Sequence, residues 1–342
     1  LITELKRIHG FVSFGIGEQL LWPTSLPANF KVGSEVPLAY FGESNVGKLK
    51  TLYRKGLGYR YGRSMQSIAG LHYNFSMSDD FWKELAKEES FKGPLKEFKS
   101  DKYFSLIRNY RRYSWILIYL FGSSSIVHKS FLEGKDHELE LLDCQGCDDT
   151  YYTKWGTSLR MGGLGYTSSA QEGIAICYNK LKTYVETLEQ ARQESYPSYE
   201  KIGTDEDGTL RQLNTNLLQI DNEFYSTIRP KNIAKSKESA LKAINERGVE
   251  YIEVRLIDIN QDSSIGISKS QIEFLHIFLL WCLTKESPFI SSEECSEINS
   301  NFNQIVSFGR KPSLNLLRNN TKVSREKYLE DCFSEMSLFT DL

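Results

Sequence analysis

The stretch 247–260 reads RGVEYIEVRLIDIN, and it constrains the fold more than any composition figure. In an extended chain successive side chains point to opposite faces, so Tyr251, Glu253 and Arg255 share one side while Ile252, Val254 and Leu256 share the other. The aliphatic side requires a core behind it. The charged side requires partners, water or ions, because a polar row loses hydration on burial. A second stretch, QSIAGLHYNFS at 66–76, repeats the pattern, with Leu71, Tyr73 and Phe75 on one face and Gln66, Ile68, Gly70, His72 and Asn74 on the other. A lone histidine on a strand is usually structural, but Gln66 and Asn74 beside His72 make this face a place to look for a site.

Helical spacing separates these strands. Apolar residues recur at helical intervals over 81–88 and 104–121, the second run placing Tyr110, Tyr113 and Leu117 along one side; 173–192 also reads as helix, and 270–283 as a buried one. The proline- and glycine-rich 196–208 reads as an exposed loop. Strands interrupted by long helical insertions, without regular βα alternation, predict an α/β or α+β domain built around an antiparallel sheet. The longest apolar runs, WILIYLF at 115–121 and FLHIFLLWCL at 274–283, are too short to span a bilayer, so no membrane association is expected. With 42 basic and 44 acidic residues among 342, the net charge of -2 leaves no chain-wide footprint for nucleic acid. Any anionic ligand must therefore be held by local arginines.

Several motifs resemble known chemistry without satisfying it. GESNVGKL at 42–49 nearly fits a phosphate-cradling loop, but Leu49 stands where a magnesium-binding hydroxyl belongs, and a glycine-rich turn into a helix is the plainer reading. Cys144 and Cys147 form a C-x-x-C without a second metal-binding pair, so reduced thiols are expected. The run from Gln212 to Lys231 carries amides at Gln212, Asn214 and Asn216, then Tyr225 and Arg229; it suits either recognition of a small zwitterion or a solvated sheet edge. TSLRMGGLGYTS at 157–168 sets Arg160 and Tyr166 around three glycines that permit close approach to a ligand.

Taken together, KTLYRKGLGYRYG at 50–62, GLHYNFS at 70–76, TSLRMGGLGYT at 157–167, NEFYSTIRPK at 222–231 and GVEYIEVRLIDIN at 248–260 resemble the glutamate-cysteine ligases of proteobacterial type. The resemblance runs from WPTSLP at 22 to GRKPSL at 309, in the family's order. It implies a fold related to glutamine synthetase, with a curved antiparallel sheet, helices on its outer face and the site on its concave face. It also implies ATP-dependent joining of the γ-carboxylate of L-glutamate to the amine of L-cysteine, the first step of glutathione synthesis. By the same resemblance Glu253 and His72 are ligands of magnesium, or manganese in its place, and Arg255 is catalytic. Tyr53, Gln66, Ile68, Tyr166 and Tyr225 match the cysteine pocket, Arg160 takes a substrate carboxylate, Asn74 lies nearby, and Arg54 and Arg229 meet ATP phosphates. A cytoplasmic monomer is expected.

Two departures accompany the resemblance. The family opens with a strand of G-x-E-x-E pattern and supplies further acidic ligands, whereas nothing before Trp22 matches; the family also continues past GRKPSL. Residues 1–342 are therefore read as a single ligase catalytic domain without the N-terminal acidic strand and the C-terminal extension. The alternatives are a related ligase with another amine acceptor, or a noncatalytic ligand-binding fragment.

Overall fold

In the computed structural model the described residues are 1–27, 29, 36–165, 169–172, 174, 176–236 and 238–340. Each alternating stretch contains a strand, and the two strands pair; the alternation expected over 66–76 holds only from Leu71, because Gln66 lies in the 3-10 turn Arg63–Ser67. Tyr251–Ile257 lies in the middle of a three-stranded antiparallel sheet, flanked by Leu71–Phe75 and Ile228–Lys231. The register sets Asn74 opposite Glu253 on one side and Arg229 opposite Glu253 on the other. Between Leu71 and Tyr73 the ladder shifts by one residue, so that Arg255 and Leu256 of the middle strand stand opposite His72 alone, a bulge that increases local twist.

The aliphatic face behaves as its sequence requires. Ile252, Val254 and Leu256 are fully buried. The helices Leu95–Tyr113 and Lys269–Thr284 supply the cover, through Leu106, Ile107 and Tyr110 from the first and Leu275, Phe278 and Leu279 from the second. Tyr110 meets Phe278 edge to face at 6.1 Å and donates its hydroxyl to the Thr227 carbonyl at 3.1 Å, so one ring joins two helices to the sheet. Each fully buried aliphatic side chain stabilises the fold by about 1.5–3 kcal/mol.

Where the helical runs were read from spacing, their ends are fixed by caps. Ser268 and Gln271 form a reciprocal capping box at the start of the buried helix, and Ser78 caps Asp79–Glu88. The run expected over 104–121 divides into Leu95–Tyr113 and Trp115–Phe121, meeting at Ser114. Among the described residues of 173–192, helix runs only from Leu181, in the element Leu181–Gln193. Residues 196–208 are more ordered than expected: Pro197 opens the helix Pro197–Ile202, and a short hairpin pairs Asp205–Glu206 with Thr209–Leu210.

A second small sheet joins Ile126–His128, Thr150–Tyr152 and Glu140–Leu141. At the turn between its last two strands the amide of Cys147 donates to the Cys144 carbonyl, and the two cysteines form a disulfide with Cα atoms 5.2 Å apart. The expectation of reduced thiols is thus corrected for this pair, because the turn brings them together. The fold is a mixed helix-and-sheet architecture with small antiparallel sheets. No helix among the described residues is long and apolar enough to cross a membrane.

Candidate functional site

On the polar face of the central sheet lies a cavity of about 550 Å3. Its second wall is the helix Asn45–Tyr61, which begins where the near phosphate loop was read. Ser44 caps it by accepting from the Gly47 amide at 3.1 Å, and a Cβ on Gly47 would meet the Phe41 carbonyl oxygen at 2.4 Å. The glycines therefore serve a tight turn into a helix. Tyr53, Leu57 and Tyr61, spaced at four, form one stripe facing the cavity, with Arg54 beside it.

A buried ionic network holds this helix in place. Arg60 pairs with Glu223 at 3.1 Å with both side chains almost wholly buried, and Tyr61 donates to the same carboxylate at 2.9 Å. Arg60 also donates to Gln212 and to the Asn214 carbonyl, and its guanidinium stacks 4.2 Å from the Tyr199 ring centre. Burial pushes the Glu223 carboxyl up, and the Arg60 charge opposes that rise. The amides of 212–216 belong to this network: Gln212 donates to the carbonyls of Tyr199 and Gly203, and Asn216 to that of Arg192. None of Gln212, Asn214 and Asn216 lines the cavity.

The charged side of the middle strand forms the cavity floor. Glu253 sits 3.0 Å from Arg255 and 3.3 Å from the His72 imidazole, while His72 and Arg255 approach to 3.4 Å. Burial pushes the Glu253 carboxyl up, but the His72 hydrogen bond and the Arg255 and Lys231 charges prevail and take it down to about 2. It is a carboxylate at any physiological pH.

Arg229 is buried and donates to the carbonyls of Asn222 and Phe224. Arg160 is bonded more fully. Its Nε donates to the buried Asp258 at 2.6 Å, Nη2 to the Leu256 carbonyl, and Nη1 to the Arg255 carbonyl and the Tyr225 hydroxyl. Among the described residues that leaves a single N–H without a partner, so Arg160 offers one hydrogen bond to a carboxylate rather than a fork. Gly70 permits this arrangement, since a Cβ there would lie 2.6 Å from Arg160 Nη1.

Ten of the expected residues line one cavity: Tyr53, Arg54, Gln66, Ile68, His72, Arg160, Tyr225, Arg229, Glu253 and Arg255. Gln66 is fixed by donating to the Arg54 carbonyl at 3.0 Å. Asn74 lies opposite Glu253 in the register but is exposed and outside the lining. Tyr166 lies outside the described residues.

The family model described as glutamate-cysteine ligase matches residues 1–305. The chain belongs to the glutamate-cysteine ligase family. A glutamate-cysteine ligase of Hahella chejuensis is 50% identical over 320 residues, covering 93% of this chain and 60% of that protein. One of Pseudomonas fluorescens strain Pf0-1 is 43% identical over 336 residues, covering 98% and 62%. The crystal structure of the glutamate-cysteine ligase of Francisella tularensis in complex with AMP superposes with a TM-score of 0.89 at 36% identity, covering 98% of this chain and 66% of that one. A bifunctional glutathione synthetase of Pasteurella multocida, at TM-score 0.70 and 23% identity over 97% and 37% of the two chains, shares the fold. The chain thus spans about three-fifths of the length of these curated relatives.

Against the family reading, the cavity adds residues that the motifs did not single out: Tyr61, Gln171, Asn222, Glu223 and Lys231. Lys231 was within reach of the alternation argument, being two positions past Arg229 on one strand. Gln171 carried no sequence signal; its amide donates to Tyr61 and to the Glu223 carbonyl while its oxygen accepts from the Tyr225 amide.

The donor set can be tested against a divalent cation. Magnesium usually takes one or two carboxylates and completes its shell with phosphate oxygens and water. An ionised Glu253 beside His72 fits that partial role, whereas the described residues contain no group of three acidic, cysteine or histidine side chains able to hold a metal alone.

Proposed function

We propose that this cavity performs glutamate-cysteine ligation: ATP phosphorylates the γ-carboxylate of L-glutamate, and the amine of L-cysteine displaces the phosphate. The observation that carries the reading is the charge of the lining. Among the described side chains Arg54 and Arg229 have no ion-pair partner, and they share the cavity with the His72–Glu253–Arg255 cluster. A site of this kind suits several phosphates at once. In the first step a γ-carboxylate oxygen bonds the terminal phosphorus as the bridging P–O bond to ADP breaks. In the second the cysteine nitrogen bonds the acyl carbon, the C–O bond to phosphate breaks, and the amine proton leaves with the phosphate.

Arg255 donates to oxygens of the transferred phosphoryl group, where charge develops. Arg54 and Arg229 hold the remaining phosphates. Tyr53, Gln66, Ile68 and Tyr225 surround the cysteine side chain, whose sulfur packs favourably against aromatic rings. Arg160, already neutralised by Asp258, orients Tyr225 and gives its remaining N–H to a substrate carboxylate. Glu253 and His72 would hold magnesium or manganese, which would supply neutralisation of the polyphosphate when bound. In this reading the three-stranded sheet is part of a curved sheet like that of glutamine synthetase, with the site on its concave face.

Incubation with L-glutamate, L-cysteine, ATP and magnesium tests the proposal. ADP and γ-glutamylcysteine are expected in equal amounts, and 2-aminobutyrate in place of cysteine reports acceptor choice. Glutamate-dependent ADP release with neither acceptor consumed would point to a ligase for another amine; nucleotide binding with no ADP at all would leave a noncatalytic binding protein.

A further inference from the structure

We propose that Lys231 is a further phosphate-binding residue of this cavity, gripping the nucleotide's polyphosphate beside Arg229. The inference rests on the reading above that ATP enters here. Arg229 and Lys231 alternate onto the same face of the strand Ile228–Lys231, and both line the cavity. Asn222 holds the two together: its backbone carbonyl accepts from Arg229 Nη2 at 3.1 Å and its side-chain oxygen accepts from Lys231 Nζ at 3.3 Å. Lys231 is half-buried, and among the described residues no carboxylate lies within ion-pairing distance. Burial lowers the pKa of its ammonium; the Glu253 and Asp221 carboxylates raise it and the Arg229 and Arg255 charges lower it, with burial prevailing.

Glu253 is one carboxylate beside Arg229, Lys231 and Arg255, so the group keeps a net positive charge that a further anion would relieve. A single substrate carboxylate supplies one charge, fewer than Arg54, Arg229 and Lys231 of the lining together present. A polyphosphate supplies several, and a lysine ammonium meets phosphate as a compact point charge without needing the planar fork a carboxylate favours. Asn222 positions the ammonium without neutralising it, which keeps its charge available for the ligand.

The test is calorimetric titration of ATP, ADP and AMP into the wild type, Lys231→Met and Lys231→Arg, with circular dichroism showing that each is folded. The expected result is a roughly ten- to hundredfold loss of ATP and ADP affinity in Lys231→Met, with AMP binding unchanged and most ATP affinity kept in Lys231→Arg. Parallel loss of all three nucleotides would assign Lys231 a structural role, and unchanged ATP affinity, or a rise in glutamate KM alone, would overturn the proposal. Should Lys231→Met not fold, Lys231→Gln is titrated in its place under the same criteria. A wild type that binds ATP but makes no γ-glutamylcysteine defeats the ligase reading and leaves this inference standing.

Discussion

Glu253 holds Arg255 at 3.0 Å from two positions away on its own strand, while its other oxygen lies 3.3 Å from His72 on the neighbouring strand. One carboxylate thus aligns a cation and an imidazole from two strands. Replacing it by an amide of the same shape removes the charge and keeps the packing. Glu253→Gln is expected to reduce magnesium-dependent turnover by about a hundredfold or more in a protein that still folds, with a lowered thermal midpoint because Arg255 loses its ion pair. Normal turnover in that variant would remove Glu253 from the chemistry.

The next residue along faces the other way and has the opposite sensitivity. Val254 is fully buried between Tyr73 and Ile228 in the register. Val254→Asp places an unpaired carboxylate in the core at several kcal/mol, a large part of the roughly 5–15 kcal/mol that stabilises a domain. Urea unfolding should show an early midpoint or no folded baseline; a native midpoint contradicts the facing assigned here.

Gly70 tests the close approach of Arg160. A methyl group 2.6 Å from Nη1 must displace the guanidinium from Tyr225 or from the carbonyl of Arg255. Gly70→Ala is expected to lose on the order of 1–3 kcal/mol of stability and to raise the KM of an amino-acid substrate while sparing nucleotide affinity. A crystal structure of the variant with Arg160 unmoved would refute the crowding argument.

Lys135 offers a pH signature outside the cavity floor. Burial takes its ammonium down to about 8, where it lies 3.4 Å from the Phe131 ring centre. Below that value the folded protein carries a poorly solvated cation that the unfolded chain hydrates freely. Between about 8 and its ordinary value the unfolded state binds more protons, so this residue's destabilising effect fades as pH rises. Lys135→Met should therefore be more stable than wild type at pH 7, with the difference shrinking by pH 10; a constant difference in urea midpoint across that range counts against it.

Much of the site was legible because strand alternation is a strict geometric rule. Glu253, Arg255 and His72 could be placed on one face from two short stretches, and the buried Val254 on the other. Motif resemblance brought in Tyr53 and Tyr225 from segments that alternation does not reach. What stayed hidden depends on distant contacts. The pairing of Arg60 with Glu223 joins residues 163 apart, and Gln171 acts through hydrogen bonds to a loop; neither leaves a local pattern. The division of 104–121 at Ser114 was likewise invisible, because both halves keep apolar spacing and the break is a matter of direction. Amide-rich 212–216 resembled a recognition strip because buried backbone carbonyls and ligands ask for the same donors.

The cavity takes its walls from positions as far apart as Tyr53 and Arg255. A pocket assembled from such remote pieces of chain exists only once nearly everything between them has folded. Nucleotide affinity is therefore also a gauge of conformational integrity: a ligand that fills the hollow should raise the melting temperature of the whole cooperative unit, and a cut anywhere along that span that lets the pieces separate should abolish binding in one step.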